Sequence, residues 1–156
     1  MNDLFSPPKL APTGSVLVHF DGGTPCNIPR LGYGIGYGSY NFDGGEPIRV
    51  SFGIHCSANT AELLTLAAAL MDLGNKIDPK TCAVHVIGDS QIALKWLRVA
   101  AGDIRGGLKK KVAKISVGSS PDFKLAIHKL KQAAEPFAHL TGEWKGRAHA
   151  VAAFGH

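Results

Sequence analysis

Asp21 follows the short apolar run Val16–Phe20 and is itself followed by Gly22 and Gly23. A run of that length reads as a buried strand. A carboxylate at its end, then two glycines, is either a plain turn or a metal or phosphate site that needs both charge and a close backbone. Asp89 follows a second such run, Cys82–Ile87. Glu62 lies between them in sequence, flanked by Ala61 and Leu63, with Leu66 and Ala69 further along. A carboxylate on an otherwise apolar face is costly unless it is paired or metal-bound. Singly, each acid reads as a cap, a turn residue or a solvated group. Converging, with no matching basic residues nearby in sequence, they would repel one another. A divalent cation relieves that repulsion, and hard oxygen ligands suit Mg²⁺ or Mn²⁺.

The elements that must bring these acids together follow from the periodicity. Val16–Phe20 is the first strand, followed by a turn rich in Gly and Pro. Tyr33–Tyr40 alternates glycine with larger residues at the strand period of two, and such glycines mark close backbone approach. Ile48–Ile54 is a third strand, and short turns make the three an antiparallel meander. Asn59–Leu73 is a helix of good helix formers, capped by Ser57 or Asn59 and ended by Gly74. Cys82–Ile87 is the fourth strand and Ser90–Ala101 the second helix. Pro121–Ala134 is the third helix, with Pro121 in its first turn. Phe137–Trp144 is the last strand and Ala148–Phe154 a short terminal helix. An α/β crossover between the first and fourth strands sets Asp21 and Asp89 side by side.

At 156 residues the chain is long enough for one domain with a sizeable core. Residues 1–14 read as a loose, proline-containing lead-in and 15–156 as the domain. No apolar stretch approaches the roughly 20 residues of a membrane span, and the first residues lack the pattern of a signal peptide. Cys26, Cys56 and Cys82 are scattered, odd in number and without a CxxC pair, so they read as reduced thiols in a cytoplasm. The net charge of +5 favours an anionic partner, nucleic acid first.

With those residues in view, the chain resembles type 1 ribonuclease H. Asp21-Gly22-Gly23, Asn27 before Pro29, and Gly32-Tyr33-Gly34 look like that family's first strand and turn. Asn59-Thr60-Ala61-Glu62-Leu63 resembles its second motif and Asp89-Ser90-Gln91 its third. The resemblance implies an α/β fold built on a five-stranded mixed sheet, three antiparallel strands then two parallel, flanked by helices. It implies that Asp21, Glu62 and Asp89 hold two divalent ions and that the RNA strand of RNA–DNA hybrids is cut by in-line displacement, leaving 5′ phosphates. Asn27, Asn59 and Gln91, with Ser90 in the same motif, match positions at the hybrid minor groove, where an amide can read the 2′-OH. Gly22 and Gly23 would let the backbone approach that groove.

Lys95, Arg98, Arg105, Lys109, Lys110, Lys111 and Lys114 follow the third motif, where some members carry a basic protrusion that grips DNA-strand phosphates. Trp96, at helical spacing with Ile92 and Val99, reads as core. His19, His55, His85, His128 and His139 read as structural or surface groups. No obligate protein partner is implied. Two rivals stand beside the ribonuclease reading: a catalytically silent module that binds hybrid or double-stranded RNA, and a DNA nuclease of the same fold.

The tail EWKGRAHAVAAFGH departs from the family. Trp144 and Arg147 resemble the WxxR before the final helix, but no acid follows Glu143, and the position of the usual fourth aspartate falls near Phe154. The substitute ligand expected is His156, then His149, with water as the remaining option. Imidazole suits Mn²⁺ better than Mg²⁺, so cleavage is expected to run faster in Mn²⁺. Rates measured in the two ions check this, and a clear Mg²⁺ preference counts against a histidine ligand.

Overall fold

The computed structural model describes residues 12–25, 34–102 and 120–147. They form β1 (Gly14–Gly23), β2 (Gly34–Phe42), β3 (Ile48–Cys56), α1 (Ala58–Gly74), β4 (Cys82–Gly88), α2 (Gln91–Ala100), α3 (Pro121–Ala134) and β5 (His139–Trp144). The strands make one sheet in the order β3-β2-β1-β4-β5. β1, β2 and β3 pair antiparallel, while β4 joins β1, and β5 joins β4, in parallel. This is the mixed sheet that the resemblance implies. The expected terminal helix Ala148–Phe154 and the basic segment 103–119 lie outside the described residues. No described helix is long and apolar enough to cross a membrane. Cys56 and Cys82 are free thiols, both buried.

α1 is the centre of the core. Leu63, Leu66, Leu70 and Leu73 are each 2% exposed or less. Each such leucine stabilises the fold by ~1.5–3 kcal/mol. A helix apolar on all sides must be covered on all sides, and α1 lies between β1 and β2 on one flank and α3 on the other. Ser57 starts it, its hydroxyl accepting from the Thr60 N–H at 3.2 Å. Ser90 and Ser120 cap α2 and α3 in the same way. Near the far end of α1, the Tyr40 hydroxyl donates to Asp72 at 3.0 Å. Burial, then the Asp72 carboxylate, pushes the Tyr40 phenol up to about 12.

Two boundaries differ from the sequence expectation. β1 does not stop at Phe20. It runs through Asp21, Gly22 and Gly23, which pair with Ser39, Gly38 and Tyr37 of β2. The glycines are therefore strand residues, and the reason is steric. A Cβ on Gly22 would sit 2.8 Å from the Ala61 carbonyl oxygen and from Thr65 Oγ1. Gly74 is the last residue of α1 and not a left-handed cap. The helix closes at Asn75, φ −86, whose N–H reaches the Asp72 and Leu73 carbonyls.

The glycines of β2 serve the same end. Gly34, Gly36 and Gly38 are buried while Ile35 and Tyr37 are exposed. A Cβ on Gly36 would press on Cys56 Sγ at 2.7 Å, and one on Gly38 would overlap the Thr65 side chain. Thr65 is fully buried, its hydroxyl donating to the Ala61 carbonyl at 2.7 Å. Gly38→Ala is therefore expected to cost ~1–3 kcal/mol through overpacking. Gly14→Ala, where nothing lies within 4 Å of the new carbon, is expected to leave stability nearly unchanged. Urea unfolding midpoints of the two variants check the difference.

Candidate metal centre

Asp21, Glu62 and Asp89 converge. One carboxylate oxygen from each lies within 4.8 Å of the other two, and among the described residues no other group of His, Cys, Asp and Glu does so. Three elements deliver them. Asp21 stands near the end of β1, and Asp89 follows β4, the parallel neighbour of β1. Glu62 is in the second turn of α1, brought down onto β1 where Gly22 carries no side chain. The Gly22 N–H donates to Glu62 Oε2 at 3.0 Å.

The three acids are shielded from water to different degrees. Asp21 is 4% exposed and Glu62 9%. Burial first, then the Asp21 and Asp89 charges, pushes the Glu62 carboxyl up to about 9. The Gly22 N–H and Arg147 pull the other way. Arg147 Nη1 lies 3.3 Å from Asp21 Oδ2 and 3.7 Å from Asp89 Oδ2. Among the described residues, that exposed guanidinium is the cation bridging Asp21 and Asp89. Three oxygen donors at this spacing, partly dehydrated, fit a hard divalent cation such as Mg²⁺ or Mn²⁺.

Neighbouring contacts fix the site from β5. The Trp144 indole N–H donates to the Asp89 carbonyl at 3.0 Å, and the Lys145 N–H to the Gly88 carbonyl at 2.8 Å. Sequence reasoning placed Trp144 and Arg147 only as a motif ahead of the last helix. The signal that would have assigned them is topological: β5 is the parallel neighbour of β4, so residues just past its end arrive beside Asp89.

The remaining expected site residues fall in three groups. Asn59 is exposed on the first turn of α1, one turn before Glu62, and Gln91 is exposed at the start of α2. Gly22, Gly23 and Ser90 adjoin the acids, with Gly22 against α1 and the Ser90 hydroxyl occupied as the cap of α2. Asn27, Lys109, Lys110, Lys111, His149 and His156 lie outside the described residues. Trp96 is in the core, 6% exposed, with the Lys131 ammonium 5.4 Å from its ring centroid. His85 bonds Thr141 at 2.7 Å and Glu143 at 3.1 Å across β4 and β5.

No protein-family model matches the sequence, and no curated protein matches it. Solved structures do. RNase H1 from the halophilic archaeon Halobacterium salinarum superposes with a TM-score of 0.62 at 20% identity, over 87% of this chain and 89% of that one. The N-terminal RNase H domain of a Mycobacterium tuberculosis protein gives 0.63 at 17% identity, over 90% and 88%. LC11-RNase H1, isolated from compost and solved in complex with an RNA/DNA hybrid, gives 0.60 at 18% identity, over 86% and 87%. The chain therefore has the ribonuclease H fold.

The raised Glu62 carboxyl has a consequence for stability. An unfolded glutamate loses its proton near pH ~4.3, whereas the folded one keeps it up to about 9. Between those values the native state binds the extra proton, so stability falls as pH rises. In chelated buffer, Glu62→Gln is expected to melt ~3 °C or more above wild type near pH ~8, and with no such gain near pH ~4. Calorimetric melting points at the two pH values check this.

Proposed function

We propose that this chain is a metal-dependent endonuclease of the ribonuclease H type, cytoplasmic, hydrolysing the RNA strand of RNA–DNA hybrids and leaving 5′ phosphates. Residues 15–156 act as one catalytic domain behind the lead-in 1–14. The observation that carries the reading is the convergence of Asp21, Glu62 and Asp89 within 4.8 Å on the fold that hybrid-bound LC11-RNase H1 shares. A module that only bound nucleic acid would gain nothing from three mutually repelling acids facing a polyanion.

Asp21, Glu62 and Asp89 would hold two divalent ions, with His156, His149 or water completing the set. The chemistry such ions supply is a lowered pKa for the attacking water and charge stabilisation at the leaving 3′ oxygen. The chain's own groups do the rest. The Gly22 N–H aims Glu62, and Trp144 holds the Asp89 backbone. Arg147 balances part of the acid charge from an exposed position. Asn59 and Gln91, flanking the acids on the first turns of α1 and α2, and Asn27 beyond β1, meet the minor groove. Their amides can both donate to and accept from the 2′-OH that marks RNA. Ser90 and Gly23 adjoin this contact, and Lys109, Lys110 and Lys111 add phosphate contacts sensitive to salt.

A labelled hybrid incubated with Mn²⁺ and each of three proteins tests the proposal. Wild type is expected to cut the RNA strand alone and to spare duplex DNA. Asp89→Asn is expected to lose more than the ~10–100-fold typical of an outer-shell change. A large loss in His156→Ala makes His156 a ligand, and full activity moves that role to His149 or water. Hybrid binding without cleavage by wild type would show a silent binding module. Cutting of duplex DNA would show a DNA nuclease of this fold.

A further inference from the structure

One face of α2 starts at Gln91, beside the acids, and leads away from them. Gln91, Lys95 and Arg98 lie at i, i+4 and i+7, so they share that face. With Leu94 and Trp144 they line an open groove of about 180 Å³. From Gln91 to Arg98 the helix advances ~10 Å. Among the described residues, neither Lys95 nor Arg98 has an acidic partner.

Trp144 closes the groove at the end nearest the acids. The residue is 48% exposed although it ends a strand of the central sheet. It is held in place, since its indole N–H donates to the Asp89 carbonyl at 3.0 Å. Gly88 and Trp144 are also register partners. An exposed aromatic ring, immobilised beside two cations and an amide, is how proteins bind a nucleic-acid strand without reading its sequence: stacking on the ring and charge along the backbone. The acid cluster repels phosphate, so cations just beyond it set where the strand can run.

We propose that this groove is a second nucleic-acid subsite, in which Trp144 stacks on a sugar or base and Lys95 and Arg98 hold successive phosphates of the strand leaving the acid cluster. The subsite rests on the ribonuclease H reading for its ligand. Its residues precede the basic segment 103–119 in sequence, and it makes α2 a track for the strand as well as the carrier of Gln91.

Hybrid binding, followed by fluorescence anisotropy over a salt series in the Asp89→Asn background with Mg²⁺, tests it without cleavage. Each lost phosphate contact lowers the slope of log K against log salt by ~0.9. Lys95→Ala/Arg98→Ala is therefore expected to lower the slope by ~2 and to weaken binding ~10- to 100-fold at ~0.1 M salt. Lys76→Ala/Lys80→Ala removes the same charge from the opposite end of the sheet and is expected to keep the parent slope. Trp144 fluorescence gives a second readout, because the only other tryptophan, Trp96, is buried. Bound hybrid is expected to shield Trp144 from acrylamide. An unchanged slope in the Lys95/Arg98 variant, an equal fall in both variants, or a Trp144 that stays quenchable overturns the subsite and leaves the nuclease reading standing. A parent protein that binds no hybrid overturns both.

Discussion

The structure depends on how closely α1 lies against β1 and β2. Contact is made through Thr65, which sits over Gly22 on one strand and Gly38 on the next. Any side chain at either glycine would lift the helix. Because the helix comes down, the Gly22 N–H reaches Glu62, and a carboxylate from a buried helix arrives beside Asp21. Core packing and the candidate site are thus one contact seen from two ends. The leucines of α1 stabilise it, and the charge at Glu62 opposes it.

That opposition is electrostatic. Two aspartates at the ends of adjacent parallel strands and a glutamate above them would separate if the sheet allowed it. β4 is held by β1 on one side and by β5 on the other, and β5 adds the Trp144 bond to the Asp89 backbone. Arg147, just past β5, contributes the one guanidinium within reach of Asp21 and Asp89 among the described residues. A proton on Glu62 relieves the remaining repulsion in one way, and a divalent cation relieves it in another. Proton and cation therefore compete for the same carboxylate.

Much of this was legible in the sequence, because strand and helix periods are local signals. The three-strand meander, the Ala- and Leu-rich central helix and the two later strands appear within three residues of where periodicity puts them. The three acids stood out because each broke an apolar pattern. What local pattern could not supply was long-range. Gly22 and Gly23 read as a turn, since what demands a glycine at 22, Thr65, lies on a different element. Arg147 is 126 residues from Asp21, and Trp144 is 55 from Asp89. Only the parallel order β1-β4-β5 makes those pairs neighbours. The fourth ligand was illegible for another reason: the tail departs from the pattern that would have named it.

Manganese(II) titrated into the protein, with the free ion followed by electron paramagnetic resonance, tests the central claim most directly. Wild type is expected to bind saturably, and more tightly as pH rises toward the Glu62 carboxyl at about 9. Asp21→Asn is expected to weaken binding at least ~10-fold. A wild-type titration that matches buffer alone, or an Asp21→Asn protein that binds as tightly as wild type, would contradict it.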